Sequence, residues 1–182
     1  EYCSSTSALM YSVGRTLGLQ QSNTLSSTDE VVLYGDKTGM MGGIDKSVFS
    51  RCYNPAKGHQ LGWYKDQSMK IDPLNYQSNT SRHPEFVLNG VSDYGKNSEN
   101  ALVVLKLEQC DLPQDYYIGF NMASGINADT PVDENKITIH RTEGEHGRSY
   151  GTSTKVAALY LGQYYTISNF NQKAGRDVVI RF

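Results

Sequence analysis

Hydrophobic residues near the start of the chain recur at helical spacing. Leu9, Val13 and Leu17 stand at positions i, i+4 and i+8, and a Ser/Thr-rich stretch, residues 4–7, comes before them. Residues at this spacing share one face of an α-helix, and hydroxyl side chains cap helix starts. The pattern therefore predicts a helix over residues 8–19, with Gly18 at the point where it ends.

The next residues alternate between polar loops and short apolar runs. Residues 20–29 are polar, residues 31–33 are apolar, and residues 34–39 contain the Gly and Asp of a turn. Further helix is predicted from residue 46 to about 52 and across residues 56–61. Residues 1–67 offer too little apolar surface for a core of their own. We expect them to pack either on the rest of the chain or on a missing N-terminal half of a domain.

From residue 69 onward, apolar residues form short alternating or β-branched runs separated by turn residues. The strand candidates are residues 85–88, 101–107, 116–121, 136–140, 155–161, 164–168 and 177–182. Their number and spacing are typical of an antiparallel β-sandwich. We therefore predict a mostly β chain with a small α part, divided into residues 1–67 and a seven-stranded antiparallel β-sandwich over residues 68–182.

Adjacent tyrosines occur in two of these candidate strands, at positions 116/117 and 164/165. Tyrosine combines a large contact area with a polar tip, so such pairs are candidates for a carbohydrate- or partner-binding face. Successive side chains of a strand point to opposite faces. The alternation therefore favours a structural role, in which one ring of each pair points into the sandwich and the other points to solvent.

Composition points to a strand-rich extracellular protein. Hydrophobic residues make up 38% and charged residues 20% of the chain, with 17 Gly and 13 Tyr. A net charge of -2 and a pI of about 6.1 give no indication of a nucleic-acid partner. No apolar run reaches the roughly 18 residues that a membrane span needs. The chain also begins at Glu1 without a leader, which suggests a processed or truncated product.

Cysteine spacing and one glycosylation signal bear on the compartment. Cys3, Cys52 and Cys110 are too far apart for a zinc ribbon. In an oxidising compartment they would give one disulfide and one leftover thiol. Asn79 opens an Asn-Thr-Ser glycosylation sequon, which fits secretion.

The sequence of the predicted first helix resembles a known metal-binding motif. Residues 10–21 read Met-Tyr-Ser-Val-Gly-Arg-Thr-Leu-Gly-Leu-Gln-Gln, and this stretch resembles the zinc-binding helix HExxHxxGxxH of the metzincin proteases. The resemblance places Tyr11, Arg15 and Gln21 at the three ligand positions and Ser12 at the position of the general-base Glu. Gly18, where the chain turns to bring the third ligand to the metal, is retained.

Two later segments resemble one metzincin family, the gametolysins (peptidase M11). Residues 34–42 read Tyr-Gly-Asp-Lys-Thr-Gly-Met-Met-Gly, and residues 51–64 contain Arg-Cys-Tyr-Asn and Gln-Leu-Gly-Trp. The resemblance continues more weakly through residues 115–121, 125–127 and 165–170. It implies that the chain is the C-terminal part of such a protease, with a helix, a Met-turn and a helix before the sandwich. Met41 would be the Met-turn residue, and Tyr34 and Asp36 further structural relics.

The same resemblance bears on the cysteines. The counterpart of the segment around Cys52 is structural, so a disulfide between Cys52 and Cys3 is expected. Cys110 follows a predicted strand and is expected to be buried.

The residues at the ligand positions do not suit zinc. Protein zinc sites use Cys, His, Asp or Glu, and Arg15 is a permanent cation without an available lone pair. No two of the histidines, at positions 59, 83, 140 and 146, have the i, i+4 spacing of a ligand pair, so we expect surface or structural roles for them. We therefore predict no bound zinc and no catalytic residue. Tyr11 and Arg15 are expected to fill the former zinc cavity and to stack as a cation–π pair.

Three functions are compatible with these predictions. The first is a secreted pseudo-protease that acts as a structural or binding component of a cell wall or extracellular matrix. Its partners would be the missing N-terminal half, other extracellular proteins or a further copy of itself, with glycans as another candidate. The second is an active zinc endopeptidase of extracellular glycoproteins whose ligands come from outside this chain. The third is a decoy or regulator of active relatives. All three place the protein outside the cell or at its surface.

Overall fold

The structure is a computed structural model that describes residues 5–45, 51–76, 83–96, 100–144 and 151–182. It is mostly β, with the helices α1 (Thr6–Thr16) and α2 (Pro55–Leu61). The strands are β1 (Ser22–Leu25), β2 (Val31–Val32), β3 (Ser68–Ile71), β4 (Val87–Leu88), β5 (Ala101–Leu102), β6 (Val104–Leu107), β7 (Tyr116–Asn121), β8 (Lys136–Thr142), β9 (Ser153–Leu159), β10 (Tyr164–Ile167) and β11 (Val178–Arg181). Within this part of the chain, neither helix has the length and apolar character needed to cross a membrane.

Both helices begin and end at capping residues. The Ser5 Oγ accepts the Ala8 N–H of α1 at 3.1 Å, and the chain leaves the helix through Gly18, whose φ is +85°. The Asn54 side chain caps α2 in the same way, and Gly62 ends it in the left-handed region. The predictions of helix at 8–19 and 56–61 are thus confirmed. Residues 46–50 lie outside the described part of the chain, and residues 51–52 are not helical.

The strands form a mixed seven-stranded sheet in the order β2-β1-β9-β8-β7-β6-β3. Pairing is antiparallel through its centre, from β9 to β6, but β1 runs parallel to β9 and β3 runs parallel to β6. Each of the seven predicted segments contains strand structure. The prediction of a seven-stranded antiparallel sandwich is nevertheless wrong, because local alternation identifies a strand without identifying its partner.

Both faces of the sheet are covered. On one face a core containing Leu105, Ile118 and Ile139 packs against the β10–β11 hairpin. On the other face lie α2 and residues 34–45 and 51–54, where Ala56 packs against Val103, Val104 and Tyr117. Both Tyr116 and Tyr117 are consequently buried, so the prediction that one ring of this pair points to solvent is wrong. Alternation does hold in β10, where Tyr164 is exposed and Tyr165 is half-buried.

Residues 5–45 and 51–67 pack on the rest of the chain, which was one of the two expected arrangements. The strands β1 and β2 extend the sheet beyond β9, and α2 lies on β6, β7 and β8. Strands from both sides of the predicted boundary at residues 67 and 68 therefore share one sheet. The boundary itself stays a prediction.

The helix α1 turns its apolar stripe outward. Leu9, Val13 and Leu17 are 60%, 38% and 49% exposed, whereas its buried residues, Ser7, Ala8 and Gly14, are small. Small residues let the helix approach its neighbours closely, and the large apolar side chains remain in solvent. The hydrophobic spacing thus predicted the helix correctly but not the face that it buries.

Leucines on the two sides of the Gly18 turn provide a test of this orientation. Leu19 is fully buried with Met40, Met41 and Tyr53, so we expect Leu19→Ala to lower the free energy of unfolding by about 2–5 kcal/mol. Leu17→Ala should change it by less than about 0.5 kcal/mol, because that side chain is half exposed. Urea unfolding of both variants measures the difference, and equal losses would contradict the observed orientation.

Candidate functional site

The helix α1 packs on the turn at Met40–Gly42. Met40 and Met41 are fully buried beneath the helix. A side chain at Gly14 would meet the Met41 sulfur at 2.5 Å, so this glycine permits the close approach. The Tyr53 hydroxyl donates to the Met10 carbonyl at 2.6 Å. The helix is therefore held directly over Met41.

Tyr11 and Arg15, at the first two ligand positions, are occupied with protein partners. The Tyr11 phenol is hydrogen-bonded to Tyr34, and burial together with this bond raises its pKa, while Arg15 opposes the shift. The Arg15 Nη1 donates to the Leu19 carbonyl at 3.2 Å and to the Gln20 Oε1 at 2.8 Å. Carbonyls at the C-terminal end of a helix attract cations. These bonds replace the predicted stacking of Arg15 on Tyr11, which does not occur in the described structure.

Ser12 and Gln21, at the base position and the third ligand position, provide no catalytic arrangement. Ser12 is exposed on α1, and a hydroxyl there cannot replace a carboxylate base at neutral pH. The carbonyl of Gln21 accepts the Ser153 N–H at 3.2 Å and so joins the sheet. No hydrogen bond or ion pair between described residues brings Gln21 to Tyr11 or Arg15.

The donor set therefore does not fit zinc. A phenol, a guanidinium and an amide stand at the three ligand positions, whereas Zn²⁺ takes thiolate, imidazole or carboxylate ligands. Within the described ranges, no group of three or more His, Cys, Asp or Glu side chains is suited to a metal ion. We derive no catalytic step through a metal at this helix.

The most strongly connected polar group of the region is the fully buried carboxylate of Asp36. Its Oδ1 accepts the Thr38 N–H at 3.1 Å and the Thr38 hydroxyl at 2.5 Å. Its Oδ2 lies 2.8 Å from the Asn54 Nδ2 and 3.0 Å from the His140 Nε2. Burial raises the pKa of Asp36, but His140, Lys155 and the Thr38 hydroxyl together outweigh burial and hold that pKa well below its usual range.

Asn54 extends this network into the sheet. Its Nδ2 also lies 3.1 Å from both the Ser22 Oγ and the Ser153 Oγ, and these two hydroxyls are 2.9 Å apart. Ser22 begins β1 and Ser153 begins β9, so the network fixes the parallel pairing of those strands. Sequence reasoning named Asp36 but missed Asn54, Ser22 and Ser153, and it assigned His140 only a general structural role. The local signals for the network were the Tyr-Gly-Asp turn and the Arg-Cys-Tyr-Asn segment that contains Asn54.

Basic side chains hold the surrounding loop through backbone carbonyls. The Lys37 Nζ donates to the Gly42 carbonyl at 3.0 Å, and the Arg51 guanidinium donates to the carbonyls of Lys37 and Gly43 at 3.0 and 3.1 Å. The buried Lys57 donates to the Gly151 carbonyl at 2.8 Å, and burial lowers its pKa to about 7. The loop around Asp36 is thus stabilised by cations of the chain itself.

The two cysteines in the described ranges, Cys52 and Cys110, show no sign of catalytic activation. Cys52 is half-buried with its sulfur 3.7 Å from the Ile126 carbonyl, and burial raises the pKa of its thiol to about 12. A thiol with so high a pKa is a poor nucleophile at neutral pH. Cys110 is exposed rather than buried, so that expectation is wrong, and it is a free thiol. Cys3 and Asn79 lie outside the described residues, so the Cys3–Cys52 disulfide and glycosylation at Asn79 stay predictions.

Comparison with known proteins does not identify the chain: no family model, curated protein or solved structure matches it. Its function must be inferred from its own residues. Those residues form a packed hydrogen-bond network at Asp36 and a helix without zinc ligands.

Asp36→Asn tests the network through its pH dependence. The pKa of Asp36 in the folded state lies below the unfolded value of about 3.9. Its stabilising contribution is therefore fully present above that pH and is lost as the pH falls below it. We expect Asp36→Asn to lower the free energy of unfolding by about 3–5 kcal/mol at neutral pH, and by progressively less in acid. Urea unfolding over a pH series measures this, with the exposed Glu134→Gln as control.

Gly42→Ala tests the packing of the Met-turn against the Asp36 turn. A methyl group at Gly42 would fall on the Asp36 carbonyl oxygen, which is part of the backbone and cannot rotate away. We expect Gly42→Ala to lower the free energy of unfolding by about 1–3 kcal/mol or more. Gly14→Ala is the matched control, because the atom it meets is the movable sulfur of Met41. Thermal unfolding compares the two, and a smaller loss for Gly42→Ala would contradict this packing.

Proposed function

We propose that this chain is a gametolysin-like protein, the C-terminal part of a metzincin scaffold, that has lost its zinc chemistry. It acts as a secreted pseudo-protease, a non-catalytic structural or binding component of a cell wall or extracellular matrix. The observation that carries the proposal is the identity of four residues on α1 and just after it. Tyr11, Arg15 and Gln21 stand where ligands would stand, and the exposed Ser12 stands where the base would stand.

Electrostatics supports the loss of the metal. The positive charge of Arg15 acts to lower the pKa of the Tyr11 phenol, and it also acts to lower the pKa of Lys57. A divalent cation at this helix would meet these positive charges without any carboxylate or imidazole ligand on α1. In addition, the Tyr11 phenol is hydrogen-bonded to Tyr34, and the Arg15 guanidinium donates to Leu19 and Gln20.

Packing supports a retained scaffold. The residues that resemble the gametolysin segments outside the ligand positions lie in the interior or cap its elements: Asp36 and Met41 are buried, and Asn54 caps α2. Met41 packs beneath α1, and Asp36 joins its turn to Asn54 and to His140 of the sheet. A folded surface that is kept while the catalytic residues are replaced is suited to binding or assembly.

Composition and the sequon at Asn79 support an extracellular location. The proposed partners are the upstream part of a metzincin domain or other extracellular and cell-wall proteins, and glycans are a further candidate class. The exposed apolar stripe of α1 is a surface that such a partner would cover.

Metal analysis combined with a restored helix tests the proposal. We expect the purified protein to carry no stoichiometric zinc and to show no chelator-sensitive hydrolysis of a protein substrate. The variant Tyr11→His, Ser12→Glu, Arg15→His, Gln21→His should gain zinc binding, because the helix and the left-handed turn at Gly18 are retained. The variant with only Tyr11→His and Arg15→His is the control and should bind more weakly, since it lacks the third ligand.

The alternatives give different results in the same experiments. Stoichiometric zinc in the unmodified protein, with peptide cleavage that a chelator abolishes, would show an active endopeptidase and overturn the proposal. Stable capture of a soluble active protease would instead indicate a regulator. Co-purification with an assembled extracellular structure supports the proposed role.

A further inference from the structure

Two exposed tyrosines flank the turn that joins β9 to the β10–β11 hairpin. Tyr160 and Tyr164 are 57% and 65% exposed, and Leu161 between them is 82% exposed. Large side chains that protrude into solvent from one turn are typical of a contact surface. Strand alternation predicted that one ring of the 164/165 pair points to solvent, and that ring is Tyr164.

The outer face of the hairpin continues this surface. Tyr164 pairs with Arg181, and Thr166 pairs with Val179. Facing residues of an antiparallel pair lie on the same side of the sheet. The alternate residues of both strands, such as Ile167, point the other way and pack on the core. The outer face therefore presents an exposed ring, an exposed guanidinium and a hydroxyl side by side.

The Tyr160 ring is held in place although it is exposed. The Lys136 Nζ lies 4.1 Å from the centroid of this ring, and the same ammonium forms an ion pair with Asp133 at 2.8 Å. In the turn, the Tyr160 N–H donates to the Gln163 Oε1 at 2.9 Å, and the Gln163 N–H donates to the Tyr160 carbonyl at 3.0 Å. A ring that is already ordered loses little entropy when a ligand packs on it.

The hairpin is positively charged on a chain whose net charge is -2. Residues 164–182 carry three cationic side chains, Lys173, Arg176 and Arg181, and one carboxylate side chain, Asp177. Lys173 lies 4.0 Å from Asp111. Within the described ranges, neither arginine forms an ion pair. An exposed, unpaired guanidinium is complementary to an acidic group, which it binds through two parallel hydrogen bonds.

This combination of rings and unpaired positive charge favours an acidic sugar as the occupant. The face of an aromatic ring is electron-rich, so it attracts the C–H groups on the face of a sugar ring, whose hydroxyls form hydrogen bonds with polar side chains. A nucleic acid is disfavoured by the net negative charge of the chain and its pI of about 6.1. Peptides are bound along an open strand edge or in pockets for their side chains, whereas the groups here protrude from the face of a ribbon.

We infer that the outer face of the hairpin binds an acidic polysaccharide, one that carries carboxylate or sulfate groups. Tyr160 and Tyr164 pack against its sugar rings, and Arg181 pairs with its acidic group. This inference deepens the proposed function, in which glycans are a candidate class of partner. Its biological meaning rests on that function, because a cell wall or extracellular matrix supplies polysaccharides of this class.

Calorimetric titration of the full chain with two acidic probes tests the inference. The probes are an oligogalacturonate and a dextran sulfate, and their uncharged counterparts are the methyl ester of the first and unmodified dextran. We expect at least one acidic probe to bind about tenfold or more tightly than its uncharged counterpart. Added salt should weaken this binding, because it screens exposed charges. The acidic probe that binds more tightly identifies the preferred acidic group.

Two variants separate charge from ring packing. Arg181→Gln should weaken binding of the acidic probe by about tenfold and reduce its salt dependence. Tyr164→Ala should weaken binding to a similar extent without changing the salt dependence, because the ring carries no charge. The matched control is Lys65→Gln, which removes one positive charge at an exposed position outside the hairpin and should bind as the unmodified chain does. Far-UV circular dichroism checks that all three variants are folded.

Three results would overturn the inference. They are no binding of either acidic probe, equal affinities of Arg181→Gln and Lys65→Gln for the acidic probe, or equally tight binding of poly-glutamate, which would indicate an acidic peptide as the partner. None of these measurements depends on zinc or proteolysis. A chain that binds no polysaccharide would therefore leave the pseudo-protease proposal standing, and bound zinc would leave the polysaccharide site standing.

Discussion

The buried carboxylate of Asp36 is the interaction on which the rest of the structure depends. An ionised group in a protein interior is costly unless hydrogen bonds and opposite charges satisfy it. Thr38, Asn54 and His140 supply those contacts from the same turn, from the cap of α2 and from the centre of the sheet. The carboxylate can be accommodated only when all three are in place. It therefore fixes the helical part of the chain on one face of the sheet.

This constraint explains why the turn that carries Asp36 tolerates few other residues. A different side chain at Asp36 would leave buried groups unsatisfied, and one at Gly42 would collide with backbone; Met41 is fully buried. Ser12 and Arg15 are exposed on α1, whereas Tyr11 is half-buried and Gln21 follows the helix. Packing does not restrict residue type at exposed positions. The fold therefore permits other residues at positions 12 and 15.

The packing of the interior leaves several apolar residues on the surface. Because small residues of α1 pack on the Met-turn, Leu9, Val13 and Leu17 remain outside. Because β1 uses Ser22 to join the buried network, the sheet continues outward to the apolar edge at β2. Apolar surfaces of this kind are typical of proteins that act by contact with others. The interior and the proposed binding role are therefore linked through the same elements.

The sequence by itself determined the features that neighbouring residues produce. Caps and spacing predicted α1 and α2, alternation predicted the strands of residues 85–182, and residue identity alone showed that Tyr11, Arg15 and Gln21 are unsuited to zinc. Only the tertiary structure decided which strands pair and which side chains contact each other. The polar β1 has no strand signal of its own and forms because it pairs with β9. Tyr117 is buried because α2 covers its face of the sheet. Asp36 meets His140, which is 104 residues away in the sequence. Such contacts depend on how distant segments pack together, which local periodicity does not encode.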